Sequence, residues 1–175
     1  MLTHRLTALV FIFTTAGPAF AAEAKYVDKR NRSEVSITEV HFCYRPSPSF
    51  FGLPGHTYVA FYKQAKSGDP ISFRAFGATA DEITQIFGGN GFLLPEYASN
   101  IHQDCLVAQV NTDVYSRAWT VASPLFTEPE YGYWNYNISG ANCVNYAKKV
   151  AESVGLKGNN KLKPRDFILQ LRADN

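Results

Sequence analysis

The chain lacks an excess of either charge, and it lacks any long apolar run beyond its first residues. Its 17 Lys and Arg side chains nearly balance 15 Asp and Glu side chains, with no run of like charge. Such a chain gives no support for nucleic-acid binding, which needs a basic patch or stripe. No segment after residue 21 approaches the ~18 consecutive apolar residues of a membrane-spanning helix. We therefore expect no transmembrane anchor.

Closely spaced metal ligands are also missing. The four histidines and three cysteines show none of the short spacings that bind structural zinc, so the sequence predicts no metal site. Aromatic residues are abundant instead, with 13 Phe, 10 Tyr and 2 Trp. Core packing and cleft walls explain such a set more simply than a cofactor site does, and we predict no cofactor.

The first 21 residues have the three parts of a secretory signal peptide. A short basic start at His4 and Arg5 is followed by an apolar stretch and by the small-residue cleavage site Ala19-Phe20-Ala21. The apolar stretch is too short to span a bilayer. The sequence therefore predicts a periplasmic or secreted protein.

The remaining residues are predicted to form one α+β domain. Residues 22–33 are polar and are predicted to be a flexible leader, and residues 34–175 are predicted to form the domain. Period-2 patterns and β-branched or aromatic residues predict strands at Val35–Phe42, Thr57–Gln64, Ile71–Phe76 and Cys105–Val110. Cap residues and 3.6-residue periodicity predict helices that begin at Thr79, Thr112, Asn142 and Pro164.

Three cysteines cannot all pair within one molecule. In an oxidising compartment cysteines normally form disulfides, so an odd thiol needs an explanation. Cys43 and Cys105 each lie at the end of a predicted strand, and a bridge between them would stabilise the domain by about 4 kcal/mol through the loop it closes. The sequence favours this pairing but does not fix the connectivity. A bridge from Cys43 to Cys143 is the alternative, and it would remove the candidate nucleophile.

Cys143 lies at the predicted start of a helix, with Asn142 as the N-cap residue. An ordinary thiol has a pKa of about 8.5, and unpaired N–H groups at a helix N-terminus favour its thiolate form. The backbone N–H of the first helical residue can also stabilise an oxyanion. Cys143 is therefore the candidate nucleophile. A small buried structural residue is the alternative interpretation.

A thiol nucleophile needs a base, and His56 is the best placed of the four histidines. It enters a predicted strand directly after Gly55, which allows backbone or substrate to approach closely. His4 is lost with the signal peptide, His102 lies in a polar loop, and His41 alternates into a strand where a packing role is expected.

The order of these motifs resembles that of the circularly permuted papain-like superfamily, which includes permuted NlpC-type hydrolases and lecithin:retinol acyltransferase-like proteins. Gly55-His56 at a strand precedes Asn142-Cys143 at a helix by about 90 residues, whereas the cysteine helix comes first in ordinary papain-like enzymes. The resemblance implies a small antiparallel sheet packed on the cysteine-bearing helix. It also implies that Cys143 is the nucleophile and that His56 acts as general base and then as acid.

The same family places a third polar group on the following strand, where it orients the histidine. Here that strand reads Ile71–Phe76 and contains no histidine, carboxylate or amide. Arg74 cannot accept the imidazole N–H, whereas Ser72 can accept it weakly and is the supporting candidate.

Together these features predict an exported thiol hydrolase or acyltransferase that cleaves an amide or ester bond. A cell-wall peptide and an acyl lipid are the candidate substrates. The alternative is a non-catalytic envelope module with a degenerate papain-like fold that binds an envelope protein or a ligand. A set of aromatic residues is predicted to line a cleft, with core packing as the alternative: Phe50, Phe51, Tyr131, Tyr133, Trp134 and Tyr136.

Overall fold

The structure is a computed structural model that describes residues 24–46, 55–64, 71–80, 89–96, 104–123, 135–136 and 142–175. The predicted signal peptide at 1–21 and the body of the helix predicted after Thr79 lie outside these residues. The same is true of the predicted cleft aromatics at 50, 51, 131, 133 and 134.

The described residues contain eight strands, most of them rich in β-branched and aromatic residues. They are β1 Lys25–Asp28, β2 Ile37–Arg45, β3 His56–Gln64, β4 Ser72–Thr79, β5 Gly89–Asn90, β6 Phe92–Glu96, β7 Cys105–Gln109 and β8 Asn135–Tyr136. Six strands form one sheet in the order β1-β7-β2-β3-β4-β6, and β5 pairs with β8 separately. β4 continues three residues beyond the predicted strand, through Gly77.

The large sheet is mixed, whereas the resemblance implies an antiparallel one. β1 pairs with β7 in parallel, and every other pairing among the described strands of this sheet is antiparallel. β1 lies within the segment predicted to be a flexible leader. Its outward Tyr26 is 67% exposed, while Val27 packs against the core. Four residues form too short a pattern to predict a strand, and the partner strand lies about 80 residues further along the chain.

Three helices follow in the described part of the chain: α1 Thr112–Ala122, α2 Cys143–Ser153 and α3 Pro164–Asp174. The N-cap of α1 is Asn111 rather than the predicted Thr112, because the Glu34 carboxylate accepts the N–H of Thr112 at 2.8 Å. α2 ends before Gly155, which takes the left-handed conformation that glycine tolerates. None of the described helices is long and apolar enough to span a bilayer.

The two faces of the sheet carry separate apolar clusters. The helix face is the one on which the three helices pack, and its strand residues include Val40, Val59 and Ala78. The opposite face carries a smaller cluster with Tyr58 and Ala75. Because side chains alternate along a strand, this division fixes which face each neighbouring residue occupies.

Cys43 and Cys105 form a disulfide, as the sequence predicts. The two residues are direct partners in the antiparallel pairing of β2 with β7. They lie 62 residues apart in the sequence and are buried on the opposite face. Cys143 is therefore the free thiol.

Candidate active site

Asn142 caps α2 and makes Cys143 its first residue. The Asn142 backbone is extended, and its side-chain oxygen accepts the N–H groups of Val144 at 2.9 Å and Asn145 at 3.3 Å. An amide side chain is well suited to this position because it satisfies donors that have no partner within the helix. α2 packs against β3, and its capped first turn lies where the Cys143 sulfur meets the N–H of Thr57.

The Cys143 side chain is buried at the junction of α2 and the sheet, with the residue only 4% exposed. Burial raises the pKa of its thiol. The N–H groups of Thr57, Val144 and Cys143 itself and the hydroxyl of Tyr136 act in the opposite direction, because each donates to the sulfur. Burial outweighs these donors, so Cys143 is a protonated thiol at neutral pH.

His56 begins β3, directly after Gly55 and next to Gly77 of the neighbouring strand β4. Gly55 before it has a φ of +78°, and an added Cβ there would lie 2.6 Å from the ring of Tyr44. Across the sheet, a Cβ on Gly77 of β4 would overlap the Nε2 atom of His56. The imidazole therefore occupies the space that a side chain at position 77 would fill.

The imidazole of His56 is neutral at physiological pH. Burial lowers its pKa from 6.5 to about 3, and the guanidinium of Arg45 acts in the same direction. Arg45 is the direct partner of His56 in the pairing of β2 with β3. A neutral imidazole can accept a proton, although a pKa this low makes it a weak base.

The structure brings the Cys143 sulfur to the backbone next to His56 but does not pair the two side chains as ions. Thr57 follows His56 directly, and its N–H donates to the sulfur while its hydroxyl donates to the Pro164 carbonyl in α3. Alternation then places the His56 ring on the opposite face, beside Gly77. The pKa shifts of His56 and Cys143 have separate causes. A thiolate–imidazolium pair is therefore not the resting state of these two residues.

Ser72, the predicted orienting residue, lies at the other end of β4 from the site. It pairs with Lys63 near the end of β3, whereas His56 contacts Gly77. Five residues of strand separate Ser72 from Gly77, roughly 16 Å at ~3.3 Å per residue. The antiparallel register thus removes Ser72 from the role of orienting His56.

Three contributors to the site were not predicted from the sequence: the space at Gly77, the N–H of Thr57 and the Tyr136 hydroxyl next to the sulfur. A glycine inside a strand pattern often marks a close approach, so Gly77 could have been identified. The N–H of Thr57 is a backbone group that no residue type reveals. Tyr136 was included only among the aromatics of the predicted cleft.

The described residues contain no group of three or more His, Cys, Asp or Glu side chains arranged to hold a metal ion. No family model matches the chain, and neither a curated protein nor a solved structure is significantly similar to it. The geometry around Cys143 and His56 is therefore the basis for a functional assignment.

Proposed function

We propose that the protein is an exported thiol hydrolase or acyltransferase with a permuted papain-like arrangement. Cys143 is its nucleophile, and His56 is the group that exchanges protons with it. One observation carries this proposal. The free cysteine is the first residue of a capped helix, and its sulfur receives N–H groups from α2 and from the residue after His56.

In the proposed reaction, the Cys143 thiol attacks the carbonyl carbon of an amide or ester. Its proton passes to the neutral imidazole of His56 as the S–C bond forms. The oxyanion of the tetrahedral intermediate accepts the N–H of Cys143. The imidazolium then protonates the departing amine or alcohol, and water or an acceptor alcohol or amine releases the acyl group from sulfur.

This reaction requires the start of β3 to rearrange when substrate binds, because the His56 ring and the Cys143 sulfur lie on opposite faces of that strand. Catalytic hydrogen bonds are often long in the absence of substrate and tighten only in the complex. The charge states of the resting groups are compatible with the reaction, because a protonated thiol and a neutral imidazole are its starting pair. A cell-wall peptide and an acyl lipid are the proposed substrates.

The test compares wild type with Cys143→Ala, His56→Gln and His41→Gln on two substrates. Release of new amino groups from purified cell wall reports amidase activity, and release of fatty acid from phospholipid vesicles reports acyl hydrolase activity. We expect Cys143→Ala and His56→Gln each to lower one of these rates about 100-fold or more, the range of general base catalysis. His41 is a matched control because it is also a buried histidine, on β2. Equal rates for wild type and Cys143→Ala contradict the proposal.

A non-catalytic envelope module is the second candidate, and the burial of the site favours it. Burial shifts the pKa of the thiol upward and that of the imidazole downward, opposite to the shifts of a preformed catalytic pair. Iodoacetamide labelling across pH separates the two candidates. If the protein is a thiol enzyme, Cys143 should react with iodoacetamide faster in wild type than in His56→Gln at the same pH. A structural thiol labels slowly at every pH in both proteins.

A further inference from the structure

A concave site lies at the end of β3 and the start of β4, remote from the thiol. It is a cleft of about 230 Å³ between these strands and α1, and its lining is Lys63, Ser72, Arg74, Tyr115 and Trp119. Lys63 and Ser72 are partners across the two strands. Six residues of β3 separate Thr57, beside the sulfur, from Lys63, which is roughly 20 Å at ~3.3 Å per residue. The cleft is therefore separate from the candidate active site.

The described residues that line the cleft include two positive charges and no negative one. Lys63 and Arg74 are its ionisable cations, and neither forms an ion pair with a carboxylate of the described residues. Two cations brought together without a counter-ion repel each other, and an anion between them relieves that repulsion. The hydroxyls of Ser72 and Tyr115 add two neutral donors.

The exposed side chain of Arg74 packs on an aromatic residue of α1. Its guanidinium lies over the Trp119 ring at 5.5 Å from the ring centroid. Trp119 is itself fixed by an edge contact with Phe61, at 5.1 Å between ring centroids. Stacking pre-organises the planar fork of N–H groups that binds carboxylates and phosphates in a bidentate manner. The arginine therefore loses little side-chain freedom when it binds an anion.

Two acidic residues at the start of α1 already have partners elsewhere. Asp113 pairs with Arg32 at 2.9 Å. Glu34 accepts both the N–H and the hydroxyl of Thr112 at the start of α1. Neither carboxylate is available to neutralise Lys63 and Arg74 without giving up these contacts.

From this arrangement we propose that the cleft binds an oxyanion, a phosphate or carboxylate group. Lys63 and Arg74 bind its charge, and the hydroxyls of Ser72 and Tyr115 donate to its remaining oxygens. The cleft is smaller than the ~300–1,000 Å³ of typical drug-sized pockets. The ligand is therefore a small anion or the anionic headgroup of a larger molecule. The four side chains would make the same contacts with a free anion and with a headgroup.

Two probes distinguish these sources in the folded protein. Inorganic phosphate is titrated at constant ionic strength while the indole N–H signal of Trp119 is followed by NMR, with Trp119→Phe used for assignment. Vesicles of phosphatidylcholine with and without phosphatidylglycerol are tested by co-sedimentation. We expect saturable binding of at least one probe. Arg74→Gln and Lys63→Gln should each weaken it about tenfold or more, as expected for a hydrogen bond to a charged group.

Arg117→Gln is the matched control, because Arg117 is an exposed cation of α1 two residues from Tyr115 and is not part of the cleft lining. Its affinity for the probe should stay within twofold of wild type. Equal weakening by Arg117→Gln and Arg74→Gln would show that net charge alone attracts the anion, and it would overturn the proposal. Absence of saturable binding by both probes would also overturn it.

Discussion

Gly77 sets how closely His56 packs against β4. A glycine inside a strand usually weakens the sheet, because it has no side chain to pack and more backbone freedom to lose. Here the missing Cβ is replaced by the imidazole of His56, whose Nε2 atom occupies that position. The glycine and the histidine therefore form a complementary pair on neighbouring strands.

Changing Gly77 to Ala should destabilise the protein by about 1–3 kcal/mol, the usual range for adding an atom to a filled site. This loss exceeds the up to ~1 kcal/mol that alanine gains by restricting the unfolded chain. The additional change His56→Ala removes the overlapping ring, so the double variant should lose less stability than the sum of the two single variants. Urea denaturation of the four proteins measures these differences.

Gly158→Ala provides the control for this cycle. A Cβ on Gly158 would lie 2.9 Å from Oε1 of Glu152, the far end of a flexible side chain. We expect its stability to remain within about 0.5 kcal/mol of wild type, as for ordinary surface changes. Additive losses at Gly77 and His56 would show that the two positions do not share space.

At the scale of elements, the local sequence pattern predicted the strands and helices that are determined by neighbouring residues. It missed the strand segments that depend on contacts with distant residues. β3 and β7 were predicted to within one residue at each end, and α2 and α3 begin within one residue of their predicted starts, because periodicity and caps are local signals. β1 was not predicted, because it is stabilised by pairing with β7, a strand far along the chain. The last part of β4 was not predicted, because it contains Gly77, whose place in a strand is explained by the packing of His56 against it. The structure places the Cys143 sulfur at the residue after His56, but the face of the sheet on which each side chain lies was not predicted.

Asn142→Ala should destabilise the protein by about 1 kcal/mol, because two N–H groups at the start of α2 lose their acceptor. Asn142→Asp keeps an oxygen in the same place and should stay close to wild type. Thermal unfolding followed by circular dichroism measures both variants. Asn160→Ala is the control, because it removes an exposed amide whose oxygen accepts from the Lys148 ammonium and caps no helix. Equal melting temperatures for Asn142→Ala and Asn160→Ala would contradict the capping role.

At the scale of the whole molecule, the disulfide joins parts of the chain that are remote in sequence. Cys43 and Cys105 link β2 to β7 across a separation of 62 residues. The bridge restricts the unfolded chain more than the folded one, and for a loop of this length the chain-entropy estimate is about 4 kcal/mol. Such a term is a large share of the ~5–15 kcal/mol that stabilises a typical domain.

Reduction of wild type should therefore lower the free energy of unfolding by up to about 4 kcal/mol, and the double variant Cys43→Ala/Cys105→Ala should be equally destabilised without reductant. Urea denaturation with and without a reducing agent makes the comparison. Cys143→Ala should respond to reductant as wild type does, because its thiol is outside the bridge. Loss of that response in Cys143→Ala would mean that residue 143 takes part in the disulfide.

β7 lies between β1 and β2 in the sheet although both precede it along the chain. The first two strands therefore have no partner between them until residues 105–109 take that place in the sheet. Until β7 pairs with it, one edge of β2 has unpaired backbone groups that can pair with another molecule. The disulfide between Cys43 and Cys105 joins β7 to β2 covalently, so this edge of β2 stays covered once the bond has formed.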